Sequence, residues 1–258
     1  VRSNPTSGLG RRAKAAPRER TPSEDEISEF YWHGPDKPGV AVSTAVRDII
    51  RLAILTGQRR QECAGARVDE FDGLDGDAPT WTLPGDQIVK GRRTKGRTKN
   101  GRTQVVRLSR QAAELVRSAI DAHSDGEYLF PTNLSTVAVG KTPRTPHIHE
   151  HSVSTAIRRM RTTLGHEDIR LHDLRRGIAN WMKDQGIGRE VRDLILNHKD
   201  GSVDDRHYSN SATMERQVRT AMQAWGDHVE RLVRKVPSQA SARRAHTDTI
   251  LAQLDANS

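Results

Sequence analysis

The sequence predicts an α+β chain, mainly α: a helical domain with one small antiparallel sheet at its edge. Three observations lead there. Apolar residues recur at helical spacing along most of the chain. Between Arg67 and Leu108 alone the pattern changes to short β-type runs separated by Gly, Asp and Pro. About a third of the 258 residues are apolar and no internal repeat is visible, which suits one core of domain size.

Residues 1–22 are Pro/Gly-rich, basic and nearly without apolar side chains, so they read as an interdomain linker, with an N-terminal domain expected before it. Ser23 and Glu26 form a capping box that opens a helix through about Trp32. A second helix runs from about Val42 to Leu55, with Val42, Val46, Ile49 and Ala53 on one stripe and Gly57 as its C-cap. RRQECAGA continues as a short helix that sets Arg59 and Glu62 one turn apart. WTL at 81–83, IVK at 88–90 and QVVRL at 104–108 are the expected strands of the sheet. Helices follow at about 109–122, 148–164, 172–185, 188–196 and 211–236. The main domain therefore spans 23–236, and 237–258 is read as a flexible Ser/Ala-rich tail.

Composition narrows the function. A net charge of +9 and a pI near 10.1 suggest a polyanionic partner. Nothing resembles a run of ~20 apolar residues, so no membrane partner is expected. Cys63, the sole cysteine, leaves no internal disulfide or thiolate zinc cluster and fits a reducing, cytoplasmic setting. HIHEH at 147–151 supplies three imidazoles, but they share a side only in an extended segment, and the residues after them read as helix. No metal and no cofactor are expected.

The chemistry-bearing residues come in an order. Arg59 and Glu62 lie in TGQRRQE at 56–62; alone, such a pair reads as a surface ion pair worth about a few tenths of a kcal/mol. From Lys90 to Arg110 there are nine Lys/Arg and no acid, a phosphate-binding patch in which Lys90, Arg92, Arg93, Lys95, Arg97 and Arg102 are candidate DNA contacts. His172 and Arg175, at i and i+3 in LHDLRRGIA, leave one face of a helix beside the apolar Leu171, Leu174, Ile178 and Met182. His198 ends a helix carrying Val191, Leu194 and Ile195, and Tyr208 follows ten residues later. Arginines, a lysine and histidines can converge on a phosphodiester without a metal, and a tyrosine hydroxyl can attack it covalently.

Four segments, TGQRRQE at 56–62, TKNGRTQVVRLS at 98–109, LHDLRRGIA at 171–179 and LNHKDGSVDDRHY at 196–208, resemble the catalytic domain of the tyrosine recombinases, most closely the prophage integrases. The resemblance covers roughly residues 20–235, and NP-x-x-GL at 4–9 is similar to the stretch that leads out of the family's DNA-gripping N-terminal domain. It implies the DNA breaking-rejoining fold and a set of roles. Arg59 and Arg175 clamp the phosphate, with Glu62 orienting Arg59 or a neighbouring base. Lys99 is the general acid, His172 the general base, His198 a hydrogen-bond donor to the phosphate and Tyr208 the nucleophile. Lys99 is chosen over Lys90 and Lys95 because it precedes Arg107 by eight residues, and Arg107 stands where the family's V-P-L segment has proline. The stretch between Pro84 and Lys99 is longer than the family's usual one. The implied activity is site-specific recombination of double-stranded DNA for integrating or excising a prophage or genomic island. It proceeds without metal, as a homotetramer assisted by DNA-bending accessory proteins, in the bacterial cytoplasm at the nucleoid. Relaxation of the type IB topoisomerase kind and a non-catalytic DNA-binding remnant are the alternatives. The apolar stripe Met214, Val218, Met222, Trp225, Val229 and Leu232 reads either as core or as an exchange helix for a neighbouring protomer.

Overall fold

The computed structural model describes residues 20–33, 42–89, 92–132, 145–166, 168–198 and 212–235. Lys90, Tyr208, the linker up to residue 19 and the tail from 237 lie outside the described residues. Eight α-helices and five short strands are present among those described.

The capping box at Ser23 is formed: the Glu26 N–H donates to Ser23 Oγ (3.2 Å) and the Ser23 N–H to Glu26 Oε2 (2.9 Å). It opens α1 (Glu24–Ser28), which loosens into a π-turn over Glu29–His33, so the predicted helix keeps its length but not its pitch. α2 (Thr44–Thr56) begins at Ser43 and ends at Gly57, whose φ of +66° is the left-handed conformation glycine adopts without cost. Glycine is required there on a second count, since a Cβ would come within 3.1 Å of both Ile178 and Leu196. α3 (Arg60–Ala64) starts three residues after Gly57.

The β region splits in two. β1 (Phe71–Asp72), β2 (Thr80–Leu83) and β5 (Gln104–Arg107) form an antiparallel sheet in the order β1-β2-β5, with Trp81 opposite both Phe71 and Val106. β3 (Gln87–Val89) and β4 (Arg92–Thr94) pair only with each other as a separate hairpin. The expectation that IVK belongs to the main sheet is therefore corrected. The physical reason is burial: Trp81 and Leu83 are fully covered, whereas Ile88 is 80% exposed and has no core to join. β1 and β4 were too short and too polar to announce themselves.

α4 (Arg110–His123), α5 (Glu150–Leu164), α6 (Leu171–Asp184) and α7 (Arg189–Leu196) lie where the periodicity put them, and His149 serves as the N-cap of α5. α8 (Ala212–Lys235) settles the open reading of its stripe. Met214, Val218, Met222, Trp225, Val229 and Leu232 are all buried within this chain, against α1, α2, α4, α6 and α7. Trp225 Nε1 donates to the Ile54 carbonyl (2.8 Å) and Ser28 Oγ to the Leu232 carbonyl (3.2 Å), so α8 is core and not a helix held out for exchange. No helix among the described residues is long and apolar enough to cross a membrane.

Trp225→Ala is expected to cost about 3–5 kcal/mol, the range for truncating a buried aromatic, and removal of 212–235 to abolish cooperative unfolding. Urea denaturation followed by circular dichroism checks both; a Trp225→Ala transition at the wild-type midpoint would show that α8 is dispensable to the core.

Candidate active site

The turn between α2 and α3 carries Arg59. Its residue occupies the N-cap of α3, and the buried Glu62 carboxylate grips it twice: Oε2 accepts from the Arg59 N–H (2.7 Å) and Oε1 from Nη1 (3.0 Å). Glu62 is only 2% exposed, while the Arg59 side chain is 27% exposed. The arrangement grips the guanidinium from its buried side and leaves part of the side chain exposed, unlike an ion pair lying wholly on the surface.

Arg175 lies one turn into α6 and is almost wholly buried. Nη1 donates to the Gly57 carbonyl, just before Arg59, and Nη2 to the Leu196 carbonyl, just before His198. One guanidinium thus joins the α2–α3 turn to the end of α7 and still keeps donors in reserve. Burial, and the positive charge of Arg59 after it, lowers its pKa to about 10.

The end of α7 is held from several further directions. The Ile195 carbonyl accepts from Gln58 Nε2 and Gln104 Nε2, each at 3.0 Å. Asn197 closes the helix in the left-handed conformation at φ +48°, and the His198 N–H returns to the Asp193 carbonyl (3.0 Å). His198 Nδ1 lies 3.2 Å from Asp193 Oδ1, which leaves Nε2 directed elsewhere; the side chain is half exposed. His172 stands exposed on the first turn of α6, three residues before Arg175. Both histidines titrate below the ordinary imidazole range. For His172 the causes are the partial desolvation that neighbouring side chains impose even on an exposed ring, then Arg175, Arg176 and Arg59, opposed by Asp173; for His198 they are the same partial desolvation and Arg175, opposed by Asp193. Arg175's bonds to the Gly57 and Leu196 carbonyls, two residues before Arg59 and His198, bring those residues to the part of α6 that also carries His172.

Lys99 is exposed on a tight turn between β4 and β5. Thr98 Oγ1 donates to the Arg102 carbonyl (2.7 Å) and the Asp86 N–H to the Gly101 carbonyl (2.8 Å), closing the turn at its neck. Arg97, read in the sequence as a DNA contact, is committed inward: its guanidinium pairs with the buried Glu70 carboxylate and donates to the Glu62 carbonyl. Arg92, Lys95 and Arg102 are exposed, and Arg93 lies opposite Ile88 in the hairpin. Tyr208 and Lys90 fall outside the described residues. Among those described, no group of His, Cys, Asp and Glu side chains could hold a metal ion. Cys63 is fully buried, and burial with the neighbouring Glu62 charge pushes its thiol far above the usual range, so it is no nucleophile.

Sequence reasoning missed Gln58, Asn100, Gln104, Asp193 and Asn197. The first two follow TG and precede Gly101 as ordinary turn residues, and only Asn197, a residue tolerant of left-handed backbone just after a helix, carried a usable signal.

The acid limb of any reaction that uses His172 as a neutral base should therefore lie below the ordinary imidazole pKa of ~6.5. The imidazole carbon-proton shifts of His172 and His198, followed by NMR from pH 4 to 9, are expected to titrate there; Asp193→Asn should push His198 lower still and leave His172 in place. A His198 midpoint at or above the free value would overturn the assigned environment.

The model of the family described as the phage integrase family matches residues 23–216. No curated protein matches the chain in sequence. Among solved structures, the integrase from mycobacterium phage Brujita superposes with a TM-score of 0.56 at 17% identity, over 92% of this chain and 69% of that one. A XerH site-specific recombinase bound to its difH substrate in a pre-cleavage complex aligns at 18% identity over 76% of this chain and 51% of that one, TM-score 0.49. A XerA recombinase aligns at 16% over 79% and 65%, TM-score 0.49. At such identities the Brujita likeness speaks for the fold, the helical catalytic architecture with its edge sheet, and the match over residues 23–216 speaks for descent: the chain belongs to the phage integrase family, the tyrosine recombinases.

Proposed function

We propose that this chain is the catalytic part of a site-specific tyrosine recombinase that cuts and rejoins double-stranded DNA for a prophage or genomic island. The observation that carries the reading is Arg175, whose two carbonyl bonds draw Arg59 and His198 to the same place while His172 rises from its own helix. Two oriented guanidiniums can hold both non-bridging oxygens of a phosphodiester as charge builds in the transition state.

In the proposed reaction the Tyr208 oxygen bonds to phosphorus and its proton passes to His172, neutral and therefore able to accept it. The bond from phosphorus to the 5′ oxygen breaks, its electron pair stays on that oxygen, and Lys99 supplies the proton. His198 donates to a phosphate oxygen. The 3′-phosphotyrosyl ester keeps the phosphodiester's free energy, so a 5′-hydroxyl of another strand can reverse the step and form a Holliday junction. Arg92, Lys95 and Arg102, with Lys90 and Arg93, would track the duplex backbone. Assembly as a homotetramer on DNA, with bending proteins, belongs to the same proposal, and the competing use of the site's chemistry, supercoil relaxation, differs in the absence of strand exchange.

The test is covalent capture. Wild type and Tyr208→Phe are incubated in EDTA with a pool of nicked suicide duplexes carrying randomised cores. A protease-sensitive protein–DNA adduct from wild type alone is expected, and sequencing the captured duplexes gives the cleaved core. Binding without an adduct favours a DNA-binding remnant; an adduct that survives Tyr208→Phe moves the nucleophile elsewhere.

A further inference from the structure

A hydrogen bond between two side chains joins the tip of the Lys99 turn to the helix end that carries His198. Asn100 Nδ2 donates to Asn197 Oδ1 at 2.5 Å. The polarity of this bond is fixed on the Asn100 side, because Asn100 Oδ1 already accepts the Arg102 N–H (3.1 Å) and leaves only the amide nitrogen to face α7. On the other side, Asn197 is the only non-glycine residue with positive φ among the described residues. Glycine would end the helix the same way and at less conformational cost. It would offer nothing to reach the turn with.

The surroundings make the bond costly to lose. Asn197 Nδ2 and Gln104 Oε1 are buried without a hydrogen-bond partner, so the amides at this junction are already desolvated beyond what their bonds satisfy. Gln104, on β5, fixes the strand end of the Lys99 loop to the Ile195 carbonyl, and the neck at Asp86 and Gly101 fixes its base. The tip, where Lys99 stands, is tied to α7 through Asn100.

We propose that the Asn100–Asn197 pair is a latch that sets Lys99 in register with His198, making these two asparagines positioning residues for proton delivery to the leaving 5′ oxygen. The latch residues are the immediate chain neighbours of Lys99 and His198, so any slack between them displaces the acid from the phosphate that His198 contacts. This inference rests on the assignment of Lys99 as general acid made above.

The test separates the two. A duplex captured from the randomised pool is synthesised with either oxygen or sulfur bridging to the 5′ carbon at the cleaved phosphate. A thiol, with a pKa near ~8.5, departs as thiolate and needs no acid. Lys99→Ala should slow cleavage of the oxygen duplex by about 10²–10⁴-fold, and Asn197→Gly and Asn100→Ala by about 10–100-fold, the scale of a misplaced catalytic group. Sulfur should return all three to the wild-type rate. Equal loss on both duplexes in Asn197→Gly, or no loss on oxygen, overturns the latch while leaving Lys99 in its role. A Lys99→Ala defect that sulfur does not relieve overturns the acid assignment and the latch's purpose with it. Hydrogen exchange of the Thr98–Arg102 amides, which needs no cleavage, should accelerate in Asn197→Gly without change in α6; unchanged exchange there overturns the latch outright.

Discussion

The buried guanidinium of Arg175 is the constraint on which the rest of the site depends. Removing a charge from water costs several kcal/mol, and the cost is tolerable only when the charge is met by well-placed acceptors. Here the acceptors are two carbonyls that helix geometry leaves without partners: Gly57 beyond the C-terminus of α2, and Leu196 in the last turn of α7. Each helix end needs a donor and the guanidinium needs acceptors, so α2, α6 and α7 are locked by mutual satisfaction. The tightness of the fit is visible in Gly57, where even a methyl group would press on Ile178 and Leu196. Arg59 and His198 follow within two residues of those carbonyls, so their positions are consequences of one polar knot.

Much of this was legible in the sequence, and what was not fails for physical reasons. Helices with an apolar stripe, from Val46–Ile49–Ala53 to Val218–Trp225–Leu232, are readable because burial imposes their period. The Ser23–Glu26 box and the Gly57 cap are readable because their side-chain chemistry is local. Glu62 as the partner of Arg59 was foreseen for the same reason, the two being one turn apart. Gln58 and Gln104 were invisible: their function is to meet a carbonyl 137 and 91 residues distant, and no local pattern announces such a contact. The separate hairpin of β3 and β4 was hidden because IVK has strand composition, and only the absence of a covering layer over Ile88 decides that it leaves the main sheet.

The basic stretch between Lys90 and Arg110 shows how composition misleads at the level of single residues. Counted together, its cations read as one phosphate-binding surface. In the fold they divide. Arg97 turns inward to the Glu70 carboxylate, which also accepts from Trp81 Nε1 (3.0 Å), and so ties the neck of the Lys99 turn to the sheet and to α3. Arg107, standing where the family has proline, pairs with Glu215 at the start of α8 (Nε to Oε1, 2.5 Å). That pair links β5, the strand leading out of the Lys99 turn, to the helix that follows the tyrosine segment. Arg107 thereby fastens the strand and the helix to one another.

The electrostatics of the site carry the argument one step further. Arg59 and Arg175 repel one another, and the Glu62 carboxylate, paired with Arg59, opposes that repulsion. Desolvation first, and then the same positive charge, lowers both histidines below the ordinary imidazole range. A site built this way is least comfortable when empty. In the proposed reaction a phosphodiester between the two guanidiniums would remove the repulsion, and a transition state with added negative charge would remove more of it, so the binding energy would grow along the reaction coordinate. In that reaction His172 would take the proton at the moment when that proton, positive beside a more negative phosphate, becomes easiest to hold. On that proposal the charges that would hold the phosphate and the group that would accept the proton are one design, set by how deeply Arg175 is buried.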